Sequence, residues 1–163
     1  MTYINPVFSY GYDNFFKQCS LIGIDGIIIP DLPFEEKNEI SDYAKKYDVK
    51  IISLIAPTSE QRIEEIAKDA EGFLYIVSSM GVTGVRNEIK TDLKSILASV
   101  KNTTSVPAAI GFGIHSPEQA KEMSKISNGV IVGSAIIKII KQYGPDADKY
   151  IYDYVKSMKG AMN

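Results

Sequence analysis

Five short runs of the chain are apolar almost throughout: Gly26–Ile29, Lys50–Ile55, Phe73–Val77, Ala108–Ile110 and Gly129–Val132. A strand with one wet face alternates apolar and polar residues. A run without that alternation predicts a strand covered on both faces, as in a parallel sheet. Between the runs the period becomes helical. Ile40, Tyr43, Ala44 and Tyr47 fall at i, i+3, i+4 and i+7, as do Leu93, Ile96, Leu97 and Val100, and again Ile151, Tyr154, Val155 and Met158. Each set lays one apolar stripe along a helix. Two helix starts carry capping chemistry. Thr58-Ser59-Glu60-Gln61 and Ser116-Pro117-Glu118-Gln119 fit the box in which a hydroxyl and a glutamine each satisfy a free helix-end amide, the second with proline at the first helical position.

Strand alternating with helix predicts a right-handed βαβ array. It forms a single domain over residues 1–163, with no linker, low-complexity tract or second unit. A sixth, stub-like strand is expected at Met1–Ile4, feeding Asn5-Pro6 and a first helix around Asp13–Ile22. That makes six βα units at most. A closed eight-stranded barrel takes about 250 residues, against 163 here. Two architectures remain: an open doubly wound sheet, or a (β/α) barrel lacking its first two units. The very early first strand favours the second.

Composition removes other classes. The formal charge is −2 and the 18 Lys and Arg are scattered, which argues against a nucleic-acid surface. No apolar run approaches the roughly 20 residues of a membrane helix, and the N-terminus lacks a signal-peptide layout, so a cytoplasmic, soluble chain is expected. A single cysteine, Cys19, excludes an internal disulfide framework and a zinc cluster; it falls on a helical apolar face, where packing is its expected role. His115, the one histidine, has no second ligand beside it and reads as a solvated loop residue rather than a metal ligand. Tyr150, Tyr152 and Tyr154 read as packing along an amphipathic C-terminal helix.

The candidate chemistry lies in three turns. Ile76-Val77-Ser78-Ser79-Met80-Gly81-Val82-Thr83-Gly84, Ala109-Ile110-Gly111-Phe112-Gly113 and Val130-Ile131-Val132-Gly133-Ser134 each run from an apolar strand into a glycine. Glycine lets the main chain approach an anion closely, and a helix start beyond it offers unpaired amides. Such turns after the last strands of a barrel suit a phosphorylated small molecule, although tight strand–helix turns need glycine too.

These residues resemble the tryptophan synthase alpha chain family. The resemblance is carried by Met1-Thr2-Tyr3-Ile4-Asn5-Pro6-Val7-Phe8, Gly23-Ile24-Asp25-Gly26 through Pro30-Asp31-Leu32-Pro33, Ala56-Pro57, Ser79-Met80-Gly81-Val82-Thr83-Gly84, Gly111-Phe112-Gly113-Ile114 and Gly133-Ser134-Ala135-Ile136, in order and nearly end to end. It implies a TIM (β/α)8-barrel family fold, here an incomplete barrel of about six βα units carrying strands three to eight. It implies a lyase of tryptophan biosynthesis that cleaves indole-3-glycerol phosphate to indole and glyceraldehyde 3-phosphate. Such a chain has no cofactor of its own and works in an α2β2 complex with a beta chain that holds pyridoxal phosphate.

By the same resemblance Gly84, Gly111, Phe112, Gly113, Gly133 and Ser134 are expected to hold the phosphate. Tyr3, Ile28, Ile55, Tyr75, Thr83 and Ile131 are expected to line the substrate pocket. Asn5, Pro6, Asp31 and Pro33 are expected to meet the beta chain. The family's two catalytic carboxylates, a glutamate on strand two and an aspartate in the loop after it, have no counterpart here, so the chain alone is expected to be inactive or nearly so. Three alternatives stay beside this reading: a non-catalytic phosphate-binding module, a beta-chain-binding module, and some other phosphate-binding barrel such as an epimerase or thiamin-phosphate synthase relative. An open barrel is further expected to self-associate through its exposed edges.

Overall fold

The computed structural model describes residues 1–78, 92–111 and 113–163. Among them, short parallel strands alternate with helices in the predicted order: α1 (Ile4–Tyr10), α2 (Tyr12–Leu21), β1 (Gly26–Ile27), α3 (Asn38–Lys46), β2 (Lys50–Ile51), β3 (Leu54–Ile55), α4 (Glu60–Lys68), β4 (Leu74–Val77), α5 (Leu93–Thr103), β5 (Ala108–Gly111), α6 (Pro117–Ser124), β6 (Gly129–Val130), α7 (Ser134–Tyr143) and α8 (Asp148–Met162). β1 pairs with β2, and β3, β4, β5 and β6 pair in that order, all in parallel. The run Lys50–Ile55 is one stretch of chain in two strands. Ile52 still donates to the Ile27 carbonyl at 2.9 Å, and Tyr75 to the Ser53 carbonyl at 3.0 Å, so the ladder passes from one partner to the other without a gap.

Register decides the faces. Ile55, Ile76, Ile110 and Val130 stand in line across β3 to β6 and pack outward with Ile63, Ile66, Leu97, Val100, Ala120 and Met158 of the helices. Leu54, Tyr75, Ala109 and Gly129 form the next line, on the opposite, inner face. A separate cluster lies under the first helices, where Ile27, Ile29 and Ile51 meet Val7, Phe16, Cys19, Ile40 and Ala44. Strands covered by helices outside, with a second apolar line inside, form an arc of a TIM barrel.

Several elements differ from expectation. Met1–Ile4 is no strand: only the Thr2 amide reaches the neighbouring strand, donating to Ile28 at 3.0 Å, and Ile4 already belongs to α1. Proline in a first helical turn loses no hydrogen bond, so Asn5-Pro6 begins a helix instead of following a strand. The paired part of β1 is shorter than the run Gly26–Ile29, ending at Ile27. The first cap is Ser59, not Thr58. That places Arg62 at the third helical position, where Gln61 would have been needed to close the box.

The second box is complete. Ser116 accepts from the Gln119 amide at 3.3 Å, and the Gln119 side chain accepts from Ser116 and His115 at 3.2 and 2.9 Å. His115 is accordingly half-buried rather than solvated. Its ring Nδ1 lies 2.9 Å from the Gly113 carbonyl, and its own carbonyl accepts from the Tyr154 hydroxyl at 2.9 Å, which ties α8 to the start of α6. Of the other helix tyrosines, Tyr150 stacks on Tyr143 at 3.6 Å between ring centres, while Tyr152 stays exposed. Replacing the cap, Ser116→Ala, is expected to cost about 1 kcal/mol and Ser116→Gly only a few tenths, measured as urea-unfolding free energies.

Candidate ligand-binding rim

Because the strands are parallel, their carboxyl ends open onto one rim, where barrels of this kind meet ligands. Main-chain bonds set three consecutive exits side by side. Ser78, just past β4, donates to Gly111 at the end of β5 at 3.1 Å, and Ile131, just past β6, donates to Ile110 at 2.8 Å. The turns expected to share one anion therefore leave neighbouring strands on the same side. Thr83, Gly84 and Phe112 lie outside the described residues.

Gly133 is the N-cap of α7, and a Cβ built there meets nothing within 4 Å. Packing does not demand glycine at this position; its effect is to leave the main chain open to approach. Ser134 is exposed at the first helical position. The N-cap residue, a glycine, gives α7 no side-chain cap, and the first turn holds no acidic residue. Its leading amides, which have no intrahelical acceptor, and the positive end of its dipole lie at the rim. Gly113 has φ +82°, a left-handed conformation that favours glycine.

Gly111 has a different reason to be glycine. A Cβ on it would stand 2.1 Å from the Tyr75 Oη and 2.3 and 2.4 Å from its ring carbons. Tyr75, on the paired strand, lays its ring across Gly111. It is 5% exposed, and burial pushes its phenol above the ordinary value, so it is protonated at neutral pH.

The expected pocket residues divide. Ile28 and Ile131 are half-buried at strand exits. Tyr3 is 64% exposed, outside any enclosed space formed by the described residues. Ile55 corrects the expectation: it is fully buried in the helix-facing cluster, because its register partner is Ile76 and not the inward Tyr75. The four expected contact residues do share one exposed patch. Both Asp31 carboxylate oxygens lie at 3.0 and 3.3 Å from the Ile4 amide, so the turn after β1 caps α1 just where Asn5 and Pro6 follow, with Pro33 two residues beyond the capping aspartate.

A cavity of about 450 Å³ opens on the same rim farther round, between the turns after β1 and β3, lined by Pro30, Pro33, Phe34, Lys37, Ser53 and Pro57 among others. Pro33 is the one expected site residue there. Lys37 is 9% exposed and paired with Asp69 at 2.8 Å. Arg62 grips Glu35 with both guanidinium nitrogens and holds that carboxyl below its usual range. With both cations paired, the cavity wall carries no excess charge for an anion. Neither lysine nor arginine stands out in the sequence, since their partners are 32 and 27 residues away, respectively. Among the described residues no His/Cys/Asp/Glu cluster could hold a metal, and no helix is long and apolar enough to cross a membrane.

An arc of parallel strands, helices outside and amide-bearing turns at the carboxyl rim, defines a (β/α)-barrel chain. A sequence profile of the tryptophan synthase alpha chain matches residues 1–162. The tryptophan synthase alpha chain of Lacticaseibacillus casei is 50% identical over 163 residues, all of this chain and 61% of that protein. That of Caldanaerobacter subterraneus is 44% identical over 161 residues, 98% of this chain and 62% of that one. Among solved structures, the tryptophan synthase alpha subunit of Campylobacter jejuni matches with a TM-score of 0.79 at 32% identity, covering 98% of this chain and 61% of that one. A chain in a structure describing mutual activation of the tryptophan synthase α2β2 complex of Pyrococcus furiosus gives 0.86 at 34% identity, covering 98% and 65%. The chain belongs to the tryptophan synthase alpha chain family, and it spans about three fifths of the length of the relatives it matches.

Proposed function

We propose that this chain carries the phosphate-binding part of a lyase that cleaves indole-3-glycerol phosphate to indole and glyceraldehyde 3-phosphate, within an alpha chain that partners a tryptophan synthase beta chain. The observation that carries the reading is the uncapped start of α7 at Gly133-Ser134, beside the Gly113 turn on the rim of a family member. Amides and helix dipole there would hold the phosphate dianion. Ile28, Ile131 and Tyr75 supply apolar surface near the strand exits for the indole, and Thr83, Gly84 and Phe112 belong to the same proposal.

The reaction breaks the bond between indole C3 and the glycerol chain. C3 takes up a proton, the adjacent glycerol hydroxyl loses one, and the C–C electrons return to the ring as the aldehyde forms. Each transfer needs a positioned acid or base. The rim carboxylate Asp31 is occupied by the Ile4 amide, so we assign it to the beta-chain face with Asn5, Pro6 and Pro33. The two catalytic carboxylates of the family belong to βα units outside this stretch. No step calls on a cofactor held by this chain, and pyridoxal phosphate stays with the beta chain.

Indole release from indole-3-glycerol phosphate tests this reading. The 163-residue chain is expected to run at background, with or without added beta chain, yet to bind the substrate in a titration. Gly133→Asp, which sets a carboxylate against the phosphate, is expected to weaken that binding about 10- to 100-fold, the worth of charge-assisted hydrogen bonds. Turnover at the level of an intact relative would overturn the assignment of the carboxylates. Binding indifferent to Gly133→Asp would overturn the phosphate site.

A further inference from the structure

Away from the glycine turns, an open hollow of about 230 Å³ lies between the starts of α4 and α5. Asp92, Ser95 and Ser99 line it from the α5 side. Their spacing, i, i+3 and i+7, puts all three on one helix face. Thr58 and Glu60 line the opposite side. Ser99 is the buried member of this polar wall, 8% exposed. Its hydroxyl is the only buried side-chain nitrogen or oxygen among the described residues without a hydrogen-bond partner. The Thr103 hydroxyl donates to the Ser99 carbonyl at 2.8 Å, which leaves Oγ untouched. A buried hydroxyl without a partner is destabilising, and buried polar groups of that kind call for an explanation. Here the group stands in the wall of a polar hollow, where a ligand atom can pair with it.

Charge and shape name the class of ligand. Glu60 and Asp92 supply two carboxylates, and no Lys, Arg or His lines the hollow among the described residues. Glu60 belongs to no ion pair there. Asp92 caps α5 with one oxygen, which accepts from the Ser95 amide at 3.1 Å, and keeps the other for a ligand. The basic side chains of the two helix starts are turned elsewhere: Arg62 grips Glu35, and Lys94 lies near Glu122 of α6. Each helix start contributes about half a positive charge, so two carboxylates still leave a net negative charge of about one. That count disfavours an anion and favours a cation. A metal ion fits poorly, since no cluster of three His, Cys, Asp or Glu among the described residues could ligate it. Pro57, Ile63 and Ile96 complete the wall with apolar surface, which suits hydrocarbon. We infer that this hollow binds a primary alkylammonium ion. Its head donates to Glu60, Asp92 and the Ser99 hydroxyl, and its short chain lies on the apolar wall. The inference rests neither on the phosphate site nor on the beta-chain face, so each fails separately.

The probe is n-butylamine, which like a lysine side chain is protonated at about pH 7. It is titrated into the isotope-labelled 163-residue chain and read by amide chemical shifts. Saturable shifts are expected in residues 58–63 and 92–99, with a Kd on the order of millimolar, as a ligand this small allows. 1-Butanol, with the same chain and no charge, leaves those resonances in place. So does potassium chloride at equal ionic strength. Ser99→Ala and Glu60→Gln each weaken binding about tenfold, the loss of one charge-assisted hydrogen bond. Neither threatens the fold: the first removes an unpaired hydroxyl and the second keeps the shape of an exposed side chain. Asp92→Asn keeps the helix cap, since asparagine caps as well as aspartate, and weakens binding similarly. Equal shifts with butanol would reveal an apolar crevice, and equal shifts with potassium a site for any cation. Either overturns the inference, as does a lack of saturable shifts or binding indifferent to both Ser99→Ala and Glu60→Gln.

Discussion

Gly111→Ala is expected to be among the most damaging single-methyl changes in this protein. The added carbon would fall 2.1 to 2.4 Å from the phenolic oxygen and two ring carbons of Tyr75, where contact distances are normally beyond 3.5 Å. Tyr75 is 5% exposed on a paired strand, so the ring cannot swing into solvent without taking its neighbours along. Overpacking of this kind costs about 1–3 kcal/mol, and the upper end applies because both partners sit on strands whose register is held by the ladder. The diagnostic is a double-mutant cycle. Tyr75→Phe leaves the two ring carbons at 2.3 and 2.4 Å and gives no rescue. Tyr75→Leu removes the obstruction, so the pair with Gly111→Ala recovers most of the loss, an interaction energy of about 1–2 kcal/mol between contacting residues. Urea unfolding of the four proteins measures it. If Gly111→Ala is within about 0.5 kcal/mol of the parent, the ring does not lie where the structure places it.

That glycine shows what the sequence could and could not say. Apolar runs without alternation predicted buried parallel strands, and the heptad-like stripes of Ile40, Ala44, Leu93, Ile96, Leu97 and Val100 did become buried helix faces, because periodicity is a direct trace of which side meets the core. The complete capping box at Ser116 was legible for a similar reason: all its atoms lie within four residues. Gly111 read as a phosphate turn since a string of letters shows the glycine and not the tyrosine stacked on it from another strand. Ile55, expected in the pocket by resemblance alone, lies in the helix-facing cluster, and an unbroken apolar run such as Lys50–Ile55 gives no alternation that would tell its two faces apart. The Asp31 cap on α1, the Lys37–Asp69 pair and the change of strand partner at Ile52–Ser53 are tertiary facts without a local signature. The family resemblance located the rim, but how Gly133 and Ser134 present their amides depended on α7 being uncapped, which its sequence alone does not declare.

Phe16→Ala is expected to loosen one half of the molecule and spare the other. Phe16 is fully buried and packs with Val7, Ile40, Ala44 and Ile51 in a cluster that shares no buried residue with the larger one around Leu74, Ile76 and Ile110. Emptying a phenylalanine site costs about 3–5 kcal/mol, a large share of the roughly 5–15 kcal/mol that holds a domain folded. The main chain joins the two clusters through Ile52 and Ser53, where the ladder changes partner, and the other ties between the halves are chiefly polar: Lys37 to Asp69, Arg62 to Glu35 and the Ile51 amide to Glu71. Two apolar clusters with no buried residue in common, tied mainly by polar bonds, transmit little of the loss, so opening is expected to be local. In hydrogen exchange, amides of α2, α3, β1 and β2 in Phe16→Ala exchange at least a hundredfold faster, a cost of about 3 kcal/mol expressed as a rate. Those of β4, β5 and α5 keep protection within a fewfold of the parent. The reverse substitution, Leu74→Ala, reverses the pattern. Uniform loss of protection in either variant would show one cooperative core, and the partner change at Ile52–Ser53 would then be a kink in a continuous sheet rather than a seam between two folding units.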